Sequence, residues 1–218
     1  SAVHRAVLSC LKLSPKGDCP RSMYGPIGKW DVSEATDMEK GFDGASSFNA
    51  DISKWNVSNV TTMSAMFARA NVFNGDISKW DVSNVVDLNS MFWGAAKFNS
   101  DISKWDVSKV TEMNYMFWQA TSFKHVLRRA FWVKSQASKI DMFEGSSGSI
   151  SDTECVVPLS SGVELKRVIA ACLKFSSKGD CSDGVHGPIG EWNVSDVTDM
   201  NKIFYDASSF NADISKWD

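Results

Sequence analysis

The sequence predicts a right-handed α/β solenoid of 25-residue units, and three observations carry that prediction. Trp30, Trp55, Trp80 and Trp105 stand 25 residues apart, as do Trp192 and Trp217. The unit between them keeps one pattern, W-[DN]-V-S-x-V-T-x-M-x-x-M-F-x-x-A-x-x-F-N-x-D-I-S-K, over 30–54, 55–79, 80–104, 105–129 (whose tail departs from it) and 192–216. Each unit also carries apolar residues on one side that it cannot bury alone, so it becomes stable only by stacking on its neighbours.

The elements follow in chain order. Residues 3–13 form an amphipathic helix with Val7, Leu8 and Leu11 on one side, stopped by Pro15 and Gly17, and residues 167–175 repeat it. Such helices suit the ends of a repeat array, where terminal units would otherwise expose core. Within a unit, 51–58 mixes β-favouring residues with turn formers and reads as short extended pieces. From Met63 apolar residues fall at i, i+3, i+4 and i+7, the pattern of a short helix with one buried stripe. One short strand and one short helix per coil are therefore expected.

A longer period overlies the short one. Cys10 to Cys19 recurs as Cys172 to Cys181, and Gly25-Pro26-Ile27-Gly28 recurs as Gly187-Pro188-Ile189-Gly190, both at an offset of 162. The expected organisation is a cap helix and cysteine loop over 1–29, a four-unit solenoid over 30–129, a C-terminal cap and linker over 130–162, and the start of a second tandem copy over 163–218. The natural polypeptide is expected to continue past Asp218 or to derive from a cut tandem precursor, and an intact native mass of 24.0 kDa would argue against continuation.

Composition narrows the function classes. Hydrophobic residues at 43% and charged residues at 22% are ordinary for a globular chain, unlike disordered, collagen-like or coiled-coil sequences. A net charge of −3 and a pI near 5.6 argue against a nucleic-acid partner. No apolar run reaches the roughly 18 to 20 residues of a transmembrane segment, and secretory or plastid targeting would come from a leader outside these residues. The histidines are His4, His125 and His186, too scattered for a nucleophile–base set, and no phosphate-cradling glycine loop or HExxH motif occurs. No catalytic activity and no cofactor are expected.

The run Phe73-Asn74-Gly75-Asp76-Ile77-Ser78-Lys79-Trp80-Asp81-Val82-Ser83-Asn84-Val85 resembles the BspA-like bacterial surface protein repeat, in the form found in algae and other protists. The resemblance covers about 24–123 and 186–218 and implies a leucine-rich-repeat-like solenoid with helical caps, a scaffold for protein contacts without catalysis. No lipobox or wall-anchoring signal accompanies it, and Gly41 replaces the Met or Ile found at 66, 91, 116 and 203.

Four groups of residues are candidates for chemistry or contact. Cys10 with Cys19 and Cys172 with Cys181 are expected to form disulfides, each adding about 2 to 3 kcal/mol by restricting the unfolded chain. Buried thiols or a metal site are the alternatives, and Cys155 is left single. A row of Asp51, Asp76 and Asp101, with Asn49, Asn74, Asn99 and a lysine row beside it, reads either as a calcium site or as side chains satisfying turn amides. The lysines favour the second reading, and a structural role is likewise expected for the sequon asparagines Asn56, Asn59 and Asn193.

The other two groups are contact surfaces. After the Met-Phe pair the units carry Asp43, Ala68, Trp93, Trp118 and Tyr205, so variation there is free of the folding constraint. Trp93 and Trp118, with Tyr115 nearby, are expected to form an aromatic patch for a protein, pigment or lipid, or else to fold down as packing. Residues 30–123 carry a net −5, whereas 124–139 hold Lys124, Arg128, Arg129, Lys134 and Lys139 with no acid. With Phe123, Val126, Leu127, Phe131 and Trp132 at helical spacing, this stretch reads as a basic amphipathic contact for an acidic partner or anionic membrane, or as a capping helix. The expected functions are a protein-binding scaffold, an accessory subunit of a membrane-associated assembly such as a plastid photosynthetic one, or a secreted or surface adhesin. The paired cysteines point to an oxidising compartment such as the cell surface or an organelle lumen.

Overall fold

Cys10 and Val7 share one side of the first helix, α1 (Ala2–Leu13), and both are buried, so α1 covers the start of the repeats as an end cap. The computed structural model describes residues 2–19, 24–151, 161–176, 178–179 and 189–217. The chain divides into two units, Ser1–Ser151 and Asp152–Asp218. After α1 come a 3-10 turn (Ile27–Lys29), β1 (Val126–Leu127), α2 (Ala130–Val133), β2 (Ser149–Ile150), α3 (Gly162–Phe175) and a second 3-10 turn (Ile189–Glu191).

Between the first 3-10 turn and β1 there is no helix, and the helix expected from Met63 onward is instead a run of overlapping turns. The backbone shows why. Met66 N–H donates to Met63 O (3.0 Å), Ala68 N–H to Ala65 O (3.1 Å) and Ala70 N–H to Phe67 O (3.1 Å), closing four-residue turns. Ala65 and Arg69 adopt positive φ, 52° and 58°, a conformation incompatible with continuing an α-helix. The alternate amides then point along the stack. Met63, Ala65, Phe67 and Arg69 N–H donate to Asp87, Asn89, Met91 and Trp93 O at 2.9, 2.8, 2.9 and 2.6 Å. A repeat of turns and a short helix share the same apolar spacing, and the inter-coil carbonyls decide between them.

The expected strand is equally short. Asp37, Thr62, Asp87, Glu112 and Ser138 form single-residue parallel bridges from coil to coil. Thr61, Val86 and Thr111 N–H donate back to Thr36, Thr61 and Val86 O, each at 2.8 Å. Successive coils are thus tied in both directions, with equivalent residues about 25 apart.

Stacking brings like residues face to face. Phe42, Phe67, Phe92, Phe117 and Phe143 form one column with ring centroids 5.2, 5.8, 5.6 and 5.3 Å apart. Phe48, Phe73, Phe98 and Phe123 form a second at 6.0, 6.2 and 5.9 Å. Trp55, Trp80 and Trp105 are almost fully buried, and each indole N–H donates to the carbonyl of the isoleucine one coil back, at Ile27, Ile52 and Ile77. A buried indole N–H needs such a partner, which explains why tryptophan and isoleucine recur together.

The polar rows close the turns. Asp51, Asp76 and Asp101 each accept the N–H of the serine two residues on, Ser53, Ser78 and Ser103. Asn49, Asn74 and Asn99 accept the N–H of Asn74, Asn99 and Lys124 on the next coil. The sequon asparagines have comparable partners: Asn56 and Asn193 accept from Ser58 and Ser195, and Asn59 donates to Ser33 O. These are backbone-satisfying roles.

At the end of the first unit β1 pairs in parallel with β2, Val126 opposite Ser149 and Leu127 opposite Ile150. The stretch from 123 to 134 is therefore a strand followed by the four-residue α2, not one amphipathic helix. Leu127 and Trp132 are fully buried and close the core. Lys139 Nζ donates to Ser135 O (2.6 Å) and Ala137 O (3.0 Å), and burial lowers its pKa.

The second unit repeats the entry to the first. Its helix α3 starts earlier than the expected residue 167, because the Ser161 hydroxyl accepts Glu164 N–H as an N-cap. Leu165, Val168, Ile169 and Cys172 on α3 pack with Ile189, Trp192, Val194 and Val197. Gly28 and Gly190 hold equivalent places: a Cβ at either would overlap the carbonyl oxygen of Asp51 or Asp213. Only glycine permits that approach.

Candidate functional site

The coil turns set the side chain that follows each Met-Phe pair on one flank of the stack. Trp93 and Trp118 are half-buried there, ring centroids 5.7 Å apart and tilted by 46°. Arg69 extends the row by one coil, its guanidinium 5.4 Å from the centre of the Trp93 ring. On its other side Arg69 Nη2 donates to both carboxylate oxygens of Asp43 at 2.8 Å, with Nε adding a third bond at 3.1 Å. Asp43, Arg69, Trp93 and Trp118 thus form one continuous row across four consecutive coils.

This row differs chemically from the interior columns. Trp55, Trp80 and Trp105 spend their indole N–H groups on main-chain carbonyls, whereas those of Trp93 and Trp118 meet no partner among the described residues. Tyr115, whose carbonyl accepts Trp118 N–H (3.1 Å), is 40% exposed. The flank therefore offers aromatic faces, two indole donors and a phenol. The Arg69 charge is matched by Asp43 and its plane is held against Trp93, an arrangement worth about 0.5 to 1 kcal/mol at an exposed site.

The remaining sequence-predicted residues are placed as follows. Lys124 is exposed, and Arg128 and Arg129 are half-buried. Trp132 is 0% exposed, which corrects its assignment to a contact surface: its ring fills the end of the core. Its indole N–H meets no hydrogen-bond partner among the described residues. Phe131, beside it on α2, is the exposed aromatic instead. The Cys10 and Cys19 sulfurs meet at bonding distance, with Cα atoms 5.5 Å apart. Cys172 is buried on α3. Cys181, Cys155 and His186 lie outside the described residues.

Arg69 was not among the residues singled out in the sequence. The available signal was its offset of 26 from Asp43, one coil plus one position, which sets opposite charges on adjacent coils. Of the histidines, His125 Nε2 lies 3.0 Å from Asn99 O and His4 Nδ1 meets Lys40 O, so both are engaged with the coil backbone. Among the described residues no helix is long and apolar enough to cross a membrane, and no cluster of three or more potential metal ligands occurs.

Residues 17–132, 59–153 and 175–218 match the family described as Mycoplasma protein of unknown function, DUF285. No curated protein and no solved structure matches the chain. The matched segments take in well over half of the sequence, so the chain belongs to this family and is a repeat protein.

Proposed function

We propose that this DUF285-family chain is a non-catalytic solenoid scaffold, leucine-rich-repeat-like and right-handed, that binds another protein through the flank formed by Arg69, Trp93, Trp118 and Tyr115. One observation carries the reading: at a position free of the repeat pattern, two half-exposed tryptophans lie side by side with unspent indole donors. Large aromatics with free polar tips are the side chains that dominate protein contacts, because they bury much area at little cost in rotamer entropy. The family match supports a repeat protein and is compatible with BspA-like repeats, to which we assign the chain more specifically.

An oxidising location, at the cell surface or in an organelle lumen, is favoured by the Cys10–Cys19 pair. That supports a secreted or surface role. The alternative of an accessory subunit in a membrane-associated assembly would use the same flank together with Lys124 and Arg128.

The test is a purification of the tagged chain from its native source, with quantitative mass spectrometry of co-eluting proteins. A stoichiometric partner retained by the parent and lost in a Trp93→Ser/Trp118→Ser variant of unchanged thermal midpoint is the expected result. Equal recovery by both would reject the flank as the contact surface.

A further inference from the structure

We infer that the flank binds an extended, proline-rich segment in the polyproline II conformation, laid along the row from Asp43 to Trp118 with an apolar side chain in the groove beside α1. The inference rests on the protein-binding reading above and names the chemistry of the partner.

The main chain of the row is already engaged. Gly44, Arg69, Gly94 and Gln119 N–H donate to Ala68, Trp93, Trp118 and Glu144 O at 2.8, 2.6, 2.7 and 2.7 Å. Each of those carbonyls therefore accepts from the coil before it, and the row offers no bare edge for a β-strand to join. Its charges are engaged as well. Asp43 holds the Arg69 guanidinium through three hydrogen bonds, so a charged segment finds no uncompensated partner between these two residues. Arg69 also takes a left-handed φ of 58° where the adjacent coils place Gly44 and Gly94 at 72° and 65°, so the row is assembled against the preference of the backbone.

What the row leaves open is donors and ring faces. The indole N–H groups of Trp93 and Trp118 meet no acceptor among the described residues, and their rings lie 5.7 Å apart. Donors without acceptors select a partner that is rich in acceptors and poor in donors. A helix uses its carbonyls internally. A polyproline II segment leaves its carbonyls open, and proline has no N–H to strand against the rings. Such segments dock on aromatic-lined surfaces because they are already extended before they bind. The lengths agree. The Arg69 guanidinium, Trp93 and Trp118 follow one another at 5.4 and 5.7 Å, which is close to one turn of the segment, three residues at about 3.1 Å each.

The row ends in a place for a side chain. Between α1 and the first coil lies a groove of about 250 Å³, walled by Leu8, Leu11, Lys12 and Pro15 on one side and by residues 43–47 on the other. Asp43 both lines the groove and begins the row, so the two surfaces are continuous. Leu8 is 39% exposed and offers an apolar wall to an aliphatic side chain at the end of the segment.

The experiment titrates the full chain, isotope-labelled at its tryptophan indole nitrogens, with a blocked peptide of six prolines between two leucines. Of the nine indole signals, Trp93→Phe and Trp118→Phe identify the two from the flank. Those two should move saturably while the signals of Trp55, Trp80 and Trp105 stay in place. Affinity for the peptide should fall about tenfold or more in Trp93→Ser/Trp118→Ser and about threefold or more in Leu8→Ser, with the interior indole signals reporting an intact stack. No movement of the two flank signals, or equal movement with a glycine–serine peptide of the same length, would overturn the inference. Movement caused by a chito-oligosaccharide and not by the proline peptide would also overturn it, and would assign the flank to a glycan. A native partner that is lost in Trp93→Ser/Trp118→Ser, from a flank that ignores the proline peptide, would reject the proline segment and leave the flank as a protein contact.

Discussion

The interior and the flank of the coil stack come from one 25-residue unit, yet only the interior repeats faithfully. An interior ring serves two neighbours: Phe92 stacks on Phe67 of the coil before at 5.8 Å and on Phe117 of the coil after at 5.6 Å. Changing one such residue disturbs the coil before and the coil after. The residue after each Met-Phe pair is not held to one identity by stacking, and it runs Asp43, Ala68, Trp93, Trp118. The difference separates what stacking requires from what is free to vary.

The largest effect should come from breaking an interior column. Trp80→Ala removes a buried ring stacked on Trp55 together with its indole bond to Ile52 O, and should cost about 3 to 5 kcal/mol in urea denaturation of the first unit. A loss below about 1 kcal/mol would mean that the coils do not depend on one another as described. The cap comes next. Reduction, or Cys10→Ser with Cys19→Ser, should lower stability by about 2 to 3 kcal/mol, read as a shift in the denaturation midpoint with and without reductant.

Removing one rung of the asparagine row should cost less. Asn74→Ala deletes the acceptor for Asn99 N–H on the next coil and should destabilise by about 1 kcal/mol, with Asn74→Asp largely restoring the wild-type midpoint. The flank should register least in stability: Trp93→Ser with Trp118→Ser should shift the midpoint by about 1 kcal/mol or less while abolishing partner recovery. A stability loss comparable to that of Trp80→Ala would place these rings with the interior.

Acid sharpens the same comparison. The hydroxyl and then the amide of Ser53, Ser78 and Ser83 hold Asp51, Asp76 and Asp81 below the ordinary value of 3.8. A carboxyl depressed in the folded state contributes stability that is complete above its unfolded pKa and disappears as pH falls through the folded one. The thermal midpoint should therefore be insensitive to these groups above about pH 5 and fall below about pH 4. Asp76→Asn keeps the acceptor without the titration, as Asn56 does at the Asp81 position, and should blunt that decline.

Much of this was legible in residue spacing. The period, the tryptophan positions, the cap helix, the approach of Cys10 to Cys19 and the turn-closing role of the aspartates all follow from local chemistry that repeats. The helix expected at Met63 does not, because apolar spacing reports which side is buried and is silent on whether an amide pairs within its coil or across to the next. Trp132 misled for a related reason. Its neighbours are basic and the spacing looked amphipathic, but the parallel pairing of Val126 with Ser149 turned the chain so that the ring faced the core.

The site divides in the same way. Trp93 and Trp118 stood out as departures from a pattern, whereas the joining of Asp43, Arg69 and Trp93 into one row required coils at a known spacing and offset.

By itself the sequence determined that this is a repeat protein, where each unit begins, and which residues face inward, since those properties depend on period and side-chain chemistry alone. Only the tertiary structure decided that the units are turns and single bridges, and that Arg69 links a carboxylate to a tryptophan. Each of those depends on a partner about one coil away, and a contact of that range is made by stacking, beyond the reach of any local preference.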